Sequence, residues 1–125
     1  MNIPANLKYS KSHEWVEFLT DTCARVGITD FAQSQMGDIV YINLPLEGAD
    51  VVCGESFTDI ESVKAVSDVF SPVSGCVSNV NGALDDAPEQ MNQSPYEAWI
   101  CEVQGISATE ELMDAAAYQA FIEEQ

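Results

Sequence analysis

The sequence predicts a mainly antiparallel β sandwich or flattened barrel with short helices, chiefly at the C-terminus. Three observations support this class. Short runs of β-branched, aromatic and apolar residues recur between turn residues at intervals of about 8–12 residues. Predicted strands do not alternate with long helices, as they would in a parallel sheet. A helical repeat of apolar residues appears only after residue 107. With 125 residues, 46% of them hydrophobic, the chain is expected to form one domain over residues 1–125.

The first half of the chain has clear strand patterns separated by turns. The predicted strands cover residues 14–19, 23–28, 39–44 and 50–53. Asp30 is predicted to cap a short helix that reaches about Gln35 and ends at Gly37, because glycine commonly terminates helices. Pro45 stops the third strand, since proline cannot donate to a sheet.

The second half predicts a hairpin, two further strands and a helical tail. The predicted strands cover residues 56–61, 65–70, 76–80 and 96–103, and residues 85–94 are expected to form a polar loop with at most one helical turn. Ser107 and Glu110 have the spacing of a capping box. The pattern therefore predicts a C-terminal helical tail over about 107–124 and leaves open whether Asp114 divides it into two helices.

The charge of the chain excludes several classes of partner. Four Lys and Arg residues stand against 21 Asp and Glu residues, for a formal net charge of −17. A nucleic acid needs clustered cations, and an anionic membrane surface would repel this protein, so neither is expected as a partner. Partners with a basic docking surface would be attracted. Solubility or a saline habitat is the alternative explanation of the charge.

Cysteine and histidine usage argues against a metal site and against hydrolytic chemistry. The four cysteines are isolated, no C-x-x-C motif occurs, and His13 is the only histidine. The thiols are expected to be reduced, and His13 to be a packed or hydrogen-bonded structural residue. Because the first residues lack the pattern of a secretory signal, the expected location is the bacterial cytoplasm, or the mitochondrial matrix for a processed organellar form.

Lys64 is the one basic residue between Arg25 and the C-terminus, and it lies at or beside the tip of the predicted hairpin. A tight hairpin holds its tip outward, so another enzyme could reach the amine and build an amide on it. The hairpin would supply a fixed base, and the acylated side chain would be a long mobile arm. Alternatively, the lysine is there by chance or neutralises nearby carboxylates, namely Asp59, Glu61 and Asp68.

The residues around Lys64 form part of a longer pattern. The segment 61–68, Glu-Ser-Val-Lys-Ala-Val-Ser-Asp, is followed by Phe-Ser-Pro-Val-Ser-Gly at 70–75. Near the N-terminus, residues 8–15 read Lys-Tyr-Ser-Lys-Ser-His-Glu-Trp. Together with matches at 26–30, 37–40 and 95–99, these segments resemble the H-protein family of the glycine cleavage system over nearly the whole chain.

The resemblance implies a lipoyl-domain-like barrel-sandwich hybrid that acts as a monomeric, non-catalytic carrier. Lys64 would hold lipoic acid in amide linkage, and Glu61 and Ser67 would belong to the motif recognised by the lipoate-attaching enzymes. The arm would carry the aminomethyl group of glycine from the glycine decarboxylase (P protein) to the aminomethyltransferase (T protein). Dihydrolipoyl dehydrogenase (L protein) would reoxidise the dithiol.

The resemblance also implies a cleft that shelters the loaded arm, with Ser12, Glu14 and Asp68 as its polar contacts. The family commonly has a histidine where this chain has Phe31, so any contribution of that histidine to the cleft is missing here or replaced by the face of a phenyl ring.

Three other interpretations share the hairpin but differ in its use. The chain could be a lipoyl relay for other complexes, a biotin carrier, or an unmodified scaffold. A biotin carrier usually has methionines beside its lysine, where this chain has Val63 and Ala65.

Overall fold

The structure is a computed structural model that describes all residues from Met1 to Gln125, and most of its regular structure is antiparallel sheet. The strands are β1 Lys8–Tyr9, β2 Glu14–Thr20, β3 Cys23–Ile28, β4 Ile39–Ile42, β5 Asp50–Val51, β6 Ser56–Ser62, β7 Val66–Phe70, β8 Val73–Val80 and β9 Cys101–Thr109. The helices are α1 Asp30–Met36, α2 Ala83–Asp86, α3 Gln90–Gln93 and α4 Ala115–Glu123. None of these helices is long and apolar enough to cross a bilayer.

The strands form two separate sheets. The larger sheet has six strands in the order β1-β2-β3-β9-β8-β5, and the smaller has three in the order β4-β6-β7. Every pair of neighbouring strands is antiparallel. The predicted class, mainly antiparallel β with short helices, is therefore confirmed, and the two sheets do not close into a barrel.

Two hydrophobic clusters hold the fold together. The larger contains 16 buried residues contributed by both sheets and by the loop helices, including Ile28, Ile42, Ile60 and Val77. The smaller consists of Leu7, Tyr9, Trp15 and Tyr118 and fixes α4 against the first two strands. The rings of Tyr9 and Tyr118 stack with their centroids 4.7 Å apart. The C-terminal helix is therefore packed into the domain.

The predicted C-terminal tail begins in the wrong place. Residues 107–109 are not helical but extend β9, where Thr109 pairs with Val73 in β8. The capping box at Ser107 is consequently not formed. The helix begins instead after Asp114, whose carboxylate accepts a hydrogen bond of 2.8 Å from the Ala117 N–H. Asp114 thus starts a single helix, because pairing with a neighbouring strand outweighs a local capping pattern.

Other boundaries also differ from the prediction. Residues 96–100 are not part of the last strand, and the predicted polar loop contains the two short helices α2 and α3. Thr29, not Asp30, caps α1, since its hydroxyl accepts the Ala32 N–H at 3.1 Å. Strand β4 ends at Ile42, two residues before the predicted end. At these ends of helices and strands, long-range contacts compete with the local conformational preferences of the residues.

Candidate functional site

The predicted hairpin is formed by β6 and β7, and Lys64 lies at its tip. Glu61 pairs with Val66, and the Ser62 N–H donates to the Ala65 carbonyl at 2.9 Å. The Ser62 hydroxyl oxygen accepts hydrogen bonds from the N–H groups of Lys64 (3.2 Å) and Ala65 (3.3 Å). The backbone on both sides of Lys64 is therefore fixed while its side chain is exposed.

The tip is also anchored to the junction between α1 and β4. The Val63 N–H donates to the Asp38 carbonyl at 3.0 Å. The stem of Lys64 lies against Gly37, where an added Cβ would be 3.2 Å from Lys64 Cε. Gly37 has φ +77°, a conformation that favours glycine. Asn92 in α3 supports this junction by donating to the Gly37 carbonyl (2.9 Å) and accepting from the Ile39 N–H (2.9 Å).

The Lys64 ammonium has no carboxylate partner. The one ion pair in the protein joins Arg25 Nε to Glu102 Oε2 at 2.9 Å, in the other sheet. The alternative that Lys64 neutralises Asp59, Glu61 or Asp68 is therefore not supported by the structure. The amine is free for a reaction that requires it.

A cleft of about 320 Å³ lies beside Lys64. It is bounded by the hairpin tip, by α1 and by the turn between β1 and β2, and its lining residues are Ser12, His13, Ala32, Gln35, Met36, Ser62, Lys64, Ala65 and Ser67. Apolar groups and hydroxyls both face it. A larger depression of about 800 Å³, lined in part by Cys23 and Cys76 on the six-stranded sheet, does not include Lys64 and is much more open. The candidate site is therefore identified by the position of Lys64 and not by the volume of the cavity.

Glu14 lies behind Ser12 and is buried, with only 2% of its surface exposed. Its carboxylate accepts hydrogen bonds from the hydroxyls of Ser10 (2.7 Å) and Ser12 (2.5 Å) and from the Phe70 N–H (3.4 Å). Burial raises the pKa of Glu14 from 4.5 to about 7, although these three donors favour the charged form. Desolvation therefore outweighs hydrogen bonding, and the carboxyl can exchange a proton near neutral pH.

The remaining predicted residues lie at different distances from this cleft. Ser67 lines it, but Asp68 is on the opposite face of β7, because successive strand residues alternate. Asp68 is exposed and accepts a hydrogen bond of 3.3 Å from the Ser56 hydroxyl. Glu61 is exposed beside the tip, opposite Val66. The structure therefore groups Ser12 and Ser67 around the cleft, with Glu14 behind them, and does not place Asp68 in its lining.

His13 is packed and hydrogen-bonded, as the sequence predicted, but it also lines the cleft. Its Nδ1 lies 2.9 Å from the Tyr118 hydroxyl, which is 2.7 Å from the Thr29 hydroxyl. Burial lowers the pKa of His13, so the ring is neutral at physiological pH. Phe31 contacts this ring, with the ring centroids 4.7 Å apart. Sequence reasoning missed Tyr118 because its partners are about 90 to 105 residues away.

Comparisons with known proteins show the family of the chain. The family model described as glycine cleavage H-protein matches residues 7–125. A glycine cleavage system H protein of Lachnoclostridium phytofermentans is 50% identical over 125 residues, covering 100% of this chain and 98% of that protein. A probable glycine cleavage system H protein of Thermococcus gammatolerans is 48% identical, covering 97% and 92%.

A solved structure is similar as well. The crystal structure of a glycine cleavage system H protein from Mycobacterium marinum matches with a TM-score of 0.92 and 38% sequence identity, covering 97% of this chain and 99% of that chain. The predicted family is thereby confirmed. The chain belongs to the glycine cleavage H-protein family.

Proposed function

We propose that this protein is a non-catalytic lipoyl carrier that moves the aminomethyl group of glycine between the enzymes of the glycine cleavage system. The observation that carries the proposal is the exposed, unpaired ammonium of Lys64 on a tip fixed by Ser62 and Asp38. Such a tip gives a modifying enzyme a rigid target, and the side chain beyond it becomes a mobile arm after acylation.

The residues beside Lys64 fit a lipoyl group. The cleft presents apolar surface from Ala32 and Met36 and hydroxyls from Ser12 and Ser67, which suits an alkyl chain that ends in a polar load. Lys64 would hold lipoic acid in amide linkage. When bound, its dithiolane would supply a sulfur that accepts the aminomethyl group and a dithiol that can be reoxidised. The protein's own residues would contribute position and shelter from water.

The proposed partners are the P, T and L proteins together with the lipoate-attaching enzymes. The P protein would supply the aminomethyl group, the T protein would remove it, and the L protein would complete the cycle by oxidation. Because the chain carries a formal charge of −17, each partner is expected to present a basic surface to it.

Behind the lining of the cleft, we assign Glu14 the role of holding the cationic amine of the arriving group. A carboxylate removed from bulk water interacts more strongly with a cation than an exposed one does. Ser12 would orient that carboxylate through its hydrogen bond. Asp68 is kept as a second proposed contact for the end of the arm.

The test of the carrier role uses the wild-type protein and the variant Lys64→Arg, which keeps the charge but cannot form the amide. Each is incubated with a purified lipoate–protein ligase, lipoate and ATP. Intact-mass spectrometry is expected to find one added lipoyl group on the wild type and none on the variant. Only the modified wild type should then support exchange of labelled bicarbonate into glycine with the P protein.

Three results would contradict this proposal. Modification of Lys64→Arg would place the acceptor elsewhere. A lipoylated wild type that supports no bicarbonate exchange would favour the lipoyl relay. A biotinyl group on protein from its native cell would identify a biotin carrier.

A further inference from the structure

His13 has a strained backbone and lines the cleft beside Lys64. It is the one residue other than glycine with a positive φ, +75°. This left-handed conformation is uncommon for residues with a side chain, although histidine is found there more often than most. Strain of this kind persists only where the surrounding contacts over-determine the conformation, so the fold must hold His13 firmly in place.

Both the backbone and the ring of His13 are fixed by contacts. Its N–H donates to the Ser10 carbonyl at 3.1 Å, and its carbonyl accepts from the Thr29 N–H at 3.1 Å. The imidazole contacts the rings of Phe31 in α1 and Phe121 in α4, with centroid distances of 4.7 Å and 5.9 Å. The C-terminal helix α4 therefore reaches the cleft through His13, although no residue of α4 lines the cleft itself.

A chain of two hydroxyl groups ends at the imidazole. Thr29 is fully buried, and its hydroxyl oxygen accepts the Ala32 N–H at 3.1 Å and lies 2.7 Å from the Tyr118 hydroxyl. The Thr29 proton has no other acceptor, so it is paired only if Thr29 donates to Tyr118. Tyr118 then donates to His13 Nδ1 at 2.9 Å.

This order of donors fixes the tautomer of the neutral ring. Because Nδ1 of His13 accepts from Tyr118, the ring proton lies on Nε2. The opposite tautomer would turn the Tyr118 hydroxyl towards Thr29 and leave the Thr29 proton buried without an acceptor, which is unfavourable. The hydroxyl of Tyr118 thus determines both how the imidazole is oriented and where it carries its proton.

We propose that Tyr118 is a positioning residue for the cleft of the lipoyl arm, an inference that rests on the proposed carrier function. Its hydroxyl holds the His13 ring as a fixed wall of the cleft. A fixed wall keeps water away from the aminomethyl group on the arm, whereas a ring that is free to rotate would admit it. Tyr118 does not line the cleft, so it acts only through His13.

The first test observes the imidazole directly in the unmodified protein without an affinity tag. His13 is the only histidine, so a long-range nitrogen–proton NMR spectrum at slightly alkaline pH contains the signals of one neutral ring. The wild type is expected to carry the ring proton on Nε2 alone. Tyr118→Phe keeps the stack on Tyr9 but removes the hydroxyl, and it should show a mixture of tautomers. A wild-type ring protonated on Nδ1, wholly or in part, would overturn the proposal.

The second test measures how long the loaded arm keeps its aminomethyl group. Each lipoylated protein is loaded with P protein and glycine, the P protein is removed, and release of formaldehyde is followed. Tyr118→Phe is expected to release it about fivefold faster than the wild type, the scale of one lost hydrogen bond. The matched control is Tyr9→Phe, which should release it at the wild-type rate. Tyr9 stacks on Tyr118 and donates to the Pro4 carbonyl, but it has no hydrogen bond to His13.

The outcomes separate this inference from the proposed function. If the wild type holds its aminomethyl group and Tyr118→Phe releases it at the rate of Tyr9→Phe, Tyr118 has only a structural role and the carrier function stands. If the wild type cannot be lipoylated or loaded, the carrier function and the positioning role of Tyr118 are both rejected.

Discussion

At the residue scale, two side chains of opposite charge carry the proposed function in opposite environments. Lys64 is exposed and unpaired, whereas Glu14 is buried beneath hydroxyl donors. Exposure keeps the amine accessible to a modifying enzyme. Burial removes the carboxyl from water and thereby raises its pKa to about 7. The carboxylate form of Glu14 that would hold a cationic amine is therefore the major form only above about pH 7.

We predict that Glu14→Gln shortens the lifetime of the aminomethyl group on the lipoyl arm, because the neutral amide cannot hold a cationic amine. The lipoylated protein is incubated with P protein and glycine, the P protein is removed, and release of formaldehyde is followed. Release is expected to be about tenfold faster than from the wild type, equivalent to about 1.4 kcal/mol. Glu47→Gln is the control, since Glu47 is exposed in the loop after β4 and has no proposed contact with the arm. Equal rates for Glu14→Gln and the wild type would remove Glu14 from the proposed role.

The raised pKa of Glu14 also predicts a pH dependence of stability. The folded state binds the proton more tightly than the unfolded state, so the free energy of unfolding should fall as pH rises from about 4.5 to about 7. The difference between these pKa values corresponds to about 3 kcal/mol. The side-chain amide of Glu14→Gln does not titrate between pH 4.5 and pH 7, so this contribution to the pH dependence is absent from the variant. Urea unfolding of both proteins between pH 4 and pH 8 should therefore give curves that diverge in favour of the variant as pH rises, and parallel curves would contradict the prediction.

At the element scale, the hairpin matters because its register decides which residues meet. Glu61 pairs with Val66, so Val63 and Lys64 form the tip and Ser67 faces the cleft. A shift by one residue would turn Ser67 away and place Asp68 there instead. Strand β3 has an equally specific pairing, since Gly27 lies opposite the buried Trp15.

Gly27→Ala is predicted to destabilise the protein by about 1–3 kcal/mol, the usual cost of overpacking a core. An added Cβ would lie 2.5 Å from the Trp15 ring, which is held by a hydrogen bond from Nε1 to the Pro95 carbonyl. Gly82→Ala is the control, because nothing lies within 4 Å of the new methyl group and φ is −63°. Urea unfolding measures both. A Gly27→Ala protein as stable as Gly82→Ala would mean that the indole moves at little cost.

At the scale of the whole molecule, the charge of −17 opposes folding and favours association with basic partners. The one ion pair, between Arg25 and Glu102, neutralises little of it. Both effects act over roughly 10 Å at 0.1 M salt and weaken as salt is added. Ionic strength should therefore change stability and association in opposite senses.

We predict that raising NaCl from about 0.05 M to about 0.5 M increases the free energy of unfolding by about 1 kcal/mol, while it raises the KM of the carrier for lipoate–protein ligase. Chloride is chosen because sulfate would also strengthen apolar burial. Urea unfolding and the lipoylation assay measure the two effects. A KM that does not depend on salt would exclude an electrostatic contribution to docking.

Local patterns in the amino-acid sequence are enough to predict the fold class, the hairpin and Lys64 as the candidate acceptor. Alternation of apolar residues fixes which faces of the strands are buried, and turn residues fix where strands end, so both are local properties. The motif around residues 61–68 indicated the family for the same reason: it is contiguous in the chain. The buried contact between Thr29 and Tyr118 joins residues 89 positions apart, so no local pattern predicts it.

The end of β9, the start of α4 and the composition of the cleft depend instead on contacts between distant parts of the chain. Pairing of Thr109 with Val73 extends the strand through residues whose local pattern predicts a helix. The cleft assembles α1, the turn before β2 and the hairpin tip, and it includes His13 while it omits Asp68. Contacts between distant segments set these features, because the free energy gained by burying apolar surface and pairing strands exceeds the small preferences of individual residues.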